Sequence, residues 1–311
     1  MDPYVSPTIS SILGVVDTHL RWKNLQSKGE RSYKNYHPSE WGHCLRRQQY
    51  KHYVSLGLLT VKEEGFNSQT LRLFDKGHNM HNRWAKYFEE IGVLRGVWIC
   101  KVPSCHHKHG EEDIIGIFKP KECINCGNNS FFYHEISVVS EEFRFIGHAD
   151  QILDFSNFDH TIYGDLKTSF NAEVLPRHPV LVDMKTCNDF GFKNYVKKVG
   201  PHHEYITQLT IYIHILEIPF GLLIYENKND SNLAFFQVNQ DEAAFEVVKN
   251  QSLIMQSMVE KRVLPPPKPK DKDDRECKRC EFKSHCHLSK IWSDPELDVK
   301  RDKFYNKGSV L

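Results

Sequence analysis

The placement of its nine cysteines constrains this 311-residue chain more than any other feature. Cys277, Cys280 and Cys286 crowd into one stretch with C-x2-C-x5-C spacing, and Cys44 stands alone far upstream. Cys100, Cys105, Cys123 and Cys126 form a separate group, spaced C-x4-C and C-x2-C, which leaves Cys187 over. Tetrads built on C-x2-C pairs are how proteins hold zinc or iron–sulfur clusters. A centre shared by Cys44 and the downstream triplet would staple the two ends of the chain together. Closing so long a loop should stabilise the fold by several kcal/mol, by analogy with long crosslinked loops.

Disulfides are the competing use of so many thiols, and they belong to exported chains. Met1-Asp2-Pro3-Tyr4 lacks the basic-then-apolar pattern of a secretory signal. The expectation is therefore a cytoplasmic protein with metal-bound thiolates, in a prokaryotic or viral setting. The apolar fraction of 40% is enough for a real core. A net charge of +1 sets up no overall basic field, so any surface for nucleic acid must be local. No run of about 18 apolar residues is present, so no membrane span is expected.

The length suits one large domain or two modest ones, and no internal repeat is visible. Leu264 to Asp274 is rich in proline and charge and reads as an extended, solvated linker. Residues 98–134 carry charged loops and the inner cysteines, and read as an insertion with its own metal. The expected organisation is an N-terminal region over 1–66 with the first outer cysteine and a core over 67–262 interrupted by 98–134. A linker and C-terminal cysteine region over 263–311 follows.

Hydrophobic spacing predicts a helix over 68–92, with Leu71, Phe74, His78, His81, Ala85 and Phe88 on one face. Residues 143–155 read as one strand, and 179–185 as a second, more buried one. A helix is expected over 203–217 with Ile206, Leu209, Ile213 and Leu216 facing in. A hairpin is expected from 220–225 and 233–238 around Asn229-Asp230-Ser231, then a last amphipathic helix over 241–262. This alternation predicts an α/β fold with a mixed sheet.

Asp183 and Lys185 stand two apart on a predicted strand, so their side chains share one side. The carboxylate can hold a divalent cation while the ammonium orients a water or neutralises developing charge. Asp150 on the preceding strand offers a second oxygen, and magnesium and manganese prefer such oxygen-rich sites. His81, on the apolar face of its helix, needs a partner, either a metal or a backbone carbonyl. Singly, each residue also fits a plain structural role: a strand-end ion pair, a turn, a core histidine, or, for Gln208 and Tyr212, an amphipathic helix edge.

The order Gly77-x3-His81, Gly147-x2-Asp150, Asp183-Met184-Lys185, Gln208-x3-Tyr212 resembles the RecB-type nucleases of the PD-(D/E)xK superfamily. Cys44, followed by Leu45-Arg46-Arg47, and the Cys277, Cys280, Cys286 triplet resemble the clamp of the CRISPR-associated and AddB-type iron–sulfur exonucleases. The resemblance spans about residues 36–290 apart from the insertion. It implies a restriction-endonuclease-like core in which a mixed sheet is flanked by helices. It further implies that His81, Asp150, Asp183 and the Met184 carbonyl bind catalytic Mg2+ or Mn2+. Lys185 would then position the attacking water, and Gln208 and Tyr212 would hold the site or the DNA strand. Cys44, Cys277, Cys280 and Cys286 would hold a 4Fe–4S cluster, with zinc as the alternative.

A second Asp-x-Lys, Asp165-Leu166-Lys167, competes for the catalytic role. Val180-Leu181-Val182 is the better buried strand, which favours Asp183. The inner tetrad, Cys100, Cys105, Cys123 and Cys126, reads as a zinc knuckle, with His106, His107 and His109 as substitute ligands. It stabilises the insertion or, through Lys101, Lys108, Lys119 and Lys121, contacts DNA. Arg46, Arg47, Arg72, Lys193, Lys197 and Lys198 are candidates for tracking a phosphate backbone, and Tyr195 and Trp84 for stacking on bases. Cys187 reads as a buried apolar residue.

The expected function is a metal-dependent DNA nuclease, an exonuclease acting on single strands or free ends in recombination, repair or end processing. One rival is a catalytically silent DNA-binding scaffold. The other is an accessory subunit working with a helicase or recombination partner, since the chain has no P-loop of its own.

Overall fold

The computed structural model describes residues 7–26, 33–60, 65–159, 161 and 172–308, and for residues 7–13 and 172 the backbone alone. Ten strands are described: β1 (Leu94–Cys100), β2 (Lys108–His109), β3 (Ile117–Phe118), β4 (Phe131–His134), β5 (Ile136–Ser140), β6 (Phe145–Ala149), β7 (Gln151–Leu153), β8 (Val180–Cys187), β9 (Phe220–Asn227) and β10 (Leu233–Asn239). The main sheet runs β10-β9-β8-β7-β1-β2, with β3 and β4 also pairing β1, while β5 and β6 form a separate pair. β8 and β9 are parallel and the other pairs are antiparallel, so the sheet is mixed. The parallel pair requires a crossover, and the His203–Ile215 helix supplies it. Among the described residues no helix is long and apolar enough to cross a membrane.

β8 is the pivot because it is covered on both faces. Leu181 enters the cluster that holds Leu209, Ile213 and Val138, whereas Val182 and Met184 enter one holding Met80, Ala85 and Trp98. Burial on both sides explains the near-continuous apolar run of its first half. The Ser68–Glu90 helix, capped by the Asn67 side chain on Thr70 N at 2.8 Å, covers the second face. Its apolar stripe is only half used. Leu71 and Ala85 are buried, but Phe74 and His78 are exposed, because the first turns lie toward the Pro7–Gln26 helix rather than the sheet. The helices at His203–Ile215 and Glu242–Glu260 and the β9–β10 hairpin stand close to their expected bounds.

Two expectations fail. The strand expected over 143–155 breaks at Asp150: β6 pairs β5 outside the main sheet, whereas β7 joins it. The expected solvated linker is a buried strap in its first half. Pro265, Pro266, Pro267 and Pro269 are buried, and the carbonyls of the first three accept from side chains distant in sequence. Arg46 Nη1 donates to Pro265 O at 2.8 Å, Tyr305 OH to Pro266 O at 3.0 Å and Arg301 Nε to Pro267 O at 3.0 Å. Proline removes a donor but keeps its acceptor, so a proline run offers a row of carbonyls to buried donors. Arg46→Ala is expected to cost about 2–3 kcal/mol, because a buried carbonyl loses its donor. Urea unfolding of the variant beside the native chain measures it.

Candidate active site and cysteine centres

The sheet switch at Asp150 builds the site. The β7–β8 ladder stops at Gln151↔Val182, so the next amide along that edge of β8 lacks a strand partner. Asp150 fills the place, its Oδ2 accepting from Met184 N at 2.9 Å. His81 Nδ1 lies 3.2 Å from the same oxygen, reaching in from the Ser68–Glu90 helix. Tyr133 OH donates to Asp150 O at 2.8 Å and fixes the backbone of the corner. On the Leu181 side of β8, Lys185 Nζ lies 3.0 Å from Asp183 Oδ1, 2.8 Å from Asp183 Oδ2 and 3.4 Å from Gln208 Oε1. It also sits 4.7 Å from the centre of the Tyr205 ring. Tyr212 packs against Gly147, where a Cβ would collide with its hydroxyl. The glycine of the Gly-x2-Asp pattern is thus a spacer for that tyrosine.

Electrostatics separate the acids. Burial opposes ionisation of Asp150, but His81, Lys185 and the Met184 amide outweigh it and hold the carboxyl below its usual range. Burial pushes Asp183 up to about 6, with Asp150 adding and Lys185 opposing. Asp183 Oδ2 is buried and receives no well-directed hydrogen bond, although the Lys185 ammonium is near. Burial disfavours protonated His81 and Lys185, yet the neighbouring carboxylates hold both above their ordinary values.

The structure brings His81, Asp150, Asp183, Met184, Lys185, Gln208 and Tyr212 into one neighbourhood, and adds an acid that the sequence reading missed. Glu135 stands within the same group: its carboxylate, the His81 ring and the Asp150 carboxylate offer ligand atoms all within 4.8 Å of one another. Burial, then Asp150, pushes Glu135 up to about 7. The signal is the β5–β6 register, in which Ile136 opposes Ala149 and so sets Glu135 beside Asp150. The competing Asp165 and Lys167 lie outside the described residues.

The two cysteine groups differ in spread. In the inner group, Cys100 and Cys126 Sγ are 3.5 Å apart and Cys105 and Cys123 Sγ 3.7 Å apart. A tetrahedral zinc tetrathiolate with bonds of ~2.3 Å has edges of about 3.8 Å. The inner thiols therefore fit a single ion, and Gly127, at φ +71°, turns the chain after the C-x2-C pair. His109 supplies no fifth ligand there but does hydrogen-bond Cys123. The outer cysteines, Cys44, Cys277, Cys280 and Cys286, all line one cavity of about 480 Å³. They do not close to single-ion spacing: among the described residues only the inner tetrad and the His81 group do so. Lys268 N donates to Cys44 Sγ at 3.4 Å. Burial, then the charges of Cys44, Cys286 and other neighbours, pushes Cys277 up to about 12. This donor set suits a group larger than one ion.

Several expected DNA contacts are otherwise engaged. Arg46 is buried against the proline strap, Arg47 pairs with Glu281 and Arg72 with Asp17. Trp84 Nε1 donates to Glu226 at 2.8 Å. Tyr195 stays exposed, beside exposed Phe190, in a short helical segment that also carries Lys197, Lys198 and Lys193, the last paired with Asp189. Cys187 is half-buried at the end of β8 rather than fully enclosed.

No protein-family model and no curated protein matches the chain. Two solved structures resemble it distantly. SSO0001 aligns at TM-score 0.43 and 14% identity, over 88% of this chain and 97% of that one. An alkaline exonuclease (LHK-Exo) from Laribacter hongkongensis aligns at TM-score 0.36 and 12% identity, over 79% and 93%. Likenesses this remote carry no argument about activity, so function must be read from the site.

The raised acids give a signed pH effect. A carboxyl lifted above its unfolded value keeps its proton in the fold while the unfolded chain has shed it. Its ionisation therefore erodes stability as pH rises toward the folded pKa. For Glu135 that window runs from the ordinary carboxyl range up to about 7. In EDTA, the melting temperature of Glu135→Gln relative to the native chain is expected to rise between pH 5 and pH 8, read by parallel melts.

Proposed function

We propose that this chain is a divalent-cation-dependent deoxyribonuclease that acts on single strands or free DNA ends. One observation carries the reading: His81 from a helix, Asp150 from the corner between β6 and β7, and Asp183 and Lys185 from β8 meet in one crevice. In this reading His81, Asp150, Asp183 and the Met184 carbonyl hold Mg2+ or Mn2+. When bound, the cation polarises the scissile phosphate and makes its water more acidic. Lys185, held between Asp183 and Gln208, positions the attacking water. Tyr212 and Gln208 keep the helix register that holds Lys185 in place. The exposed Phe190 and Tyr195 rings, with Lys193, Lys197 and Lys198 around them, offer a surface that tracks a single strand by stacking and charge.

The inner tetrad is assigned structural zinc, on its tetrahedral spacing. The outer tetrad is assigned a 4Fe–4S cluster, on its wide spacing around a single cavity.

Cleavage of end-labelled single- and double-stranded DNA in Mg2+, Mn2+ or EDTA tests the activity. Asp183→Asn and Lys185→Ala are each expected to slow cleavage roughly a thousandfold, about 4 kcal/mol of barrier. DNA that is bound but uncut under every cation would leave the silent scaffold. Activity that requires an added helicase and ATP would leave the accessory subunit. Metal analysis checks the outer centre: the purified chain should be brown and contain iron and sulfide, and Cys280→Ser should lose both. A colourless, active chain carrying zinc alone would assign that ion instead.

A further inference from the structure

The cavity beside His81 is lined by more than the nuclease reading uses. Its walls include His81, Tyr133, Glu135 and Gln151, around a volume of about 210 Å³. Two chain crossings create it. β4 pairs β1 in the main sheet, and β5, one residue later, pairs β6; Glu135 is the residue between them. β6 pairs β5, and β7, one residue later, returns to the main sheet; Asp150 is the residue between them. Ile136 opposes Ala149, so both crossings fall at one level and their carboxylates converge.

We infer that Glu135 is a direct ligand of the divalent cation, completing a His81–Glu135–Asp150 seat. The inference rests on the cation-dependent reading and assigns a residue outside the sequence motifs. Three observations carry it. The ligand atoms of the three residues lie within 4.8 Å of one another, the spacing of groups sharing one ion. Gln151 lines the same cavity at 1% exposure, and its Oε1 has no hydrogen-bond donor, so it can coordinate an ion or accept from the ion's water. Finally, the charges do not balance. Three carboxylates, Glu135, Asp150 and Asp183, face the Lys185 ammonium and the His81 imidazole, and a divalent cation offsets the negative charge these leave over. With Asp183 and the Met184 carbonyl, the set becomes three carboxylates, a main-chain carbonyl and one imidazole, with the Gln151 amide oxygen nearby, which favours a hard cation that keeps some of its water, such as Mn2+ or Mg2+.

The test is Mn2+ titration of the intact chain, with free Mn2+ followed by electron paramagnetic resonance. Glu135→Gln should weaken binding about tenfold or more, the loss typical of groups that build a metal site. It should melt in EDTA no lower than the native chain, which a merely structural glutamate would not allow. Glu135→Asp withdraws the carboxylate by one methylene, keeps its charge, and should also bind more weakly. If the native chain binds Mn2+ and either folded variant binds it equally well, Glu135 is not a ligand, and the nuclease reading stands. If the native chain binds no Mn2+, the nuclease reading itself falls and this inference with it.

Discussion

Negative charge gathered in a poorly solvated crevice is the constraint that organises this protein. An isolated carboxylate taken out of water is costly, and several together cost more, unless cations or directed hydrogen bonds answer them. Each acid here has a different answer. Asp150 has the Met184 amide and His81, and Asp183 has Lys185. Glu135 has the weakest compensation, and burial, then Asp150, pushes its carboxyl up to about 7. The fold tolerates the cluster because β8, locked between two apolar layers, gives the side chains little room to move apart.

Part of the candidate site's layout is legible in the sequence because strand and helix periodicity put paired residues on one face, while the choice of those residues comes from the order of motifs that the resemblance supplies. Asp183 and Lys185 share a face by the two-residue repeat of a strand, and Gln208 and Tyr212 by the four-residue step of a helix. Asp150 was legible as a residue but not as a corner: a run from Phe143 to Phe155 gives no sign that its hydrogen-bond partners change midway. Glu135 was illegible for the same reason. Its proximity to Asp150 depends on the register of one strand pair, and register is a tertiary property.

The helix Leu45–Ser55 shows a different kind of illegibility. It carries arginine, glutamine, lysine and histidine on nearly every side, a pattern that suggests a solvated helix. Yet Arg46, Gln48, Gln49, Lys51 and His52 are all buried. Their partners are backbone and side-chain groups outside the helix: Gln49 donates to Met255 O at 3.1 Å and Lys51 meets Glu40 at 2.8 Å. A polar helix of this kind is specified by what surrounds it, so hydrophobic spacing cannot reveal it. The proline strap is the complementary case, a charged, proline-rich string whose carbonyls are the acceptors that buried donors need.

That arrangement bears on how the protein is made. The crevice draws on residues up to Tyr212, whereas the partners of Arg46 and Cys44 begin at Pro265 and extend to Tyr305. On the ribosome, Arg46 and Cys44 therefore emerge long before the segment that receives them, and stay hydrated until it follows. A nascent chain halted upstream of Cys277 would hold every group of the crevice and lack the clasp.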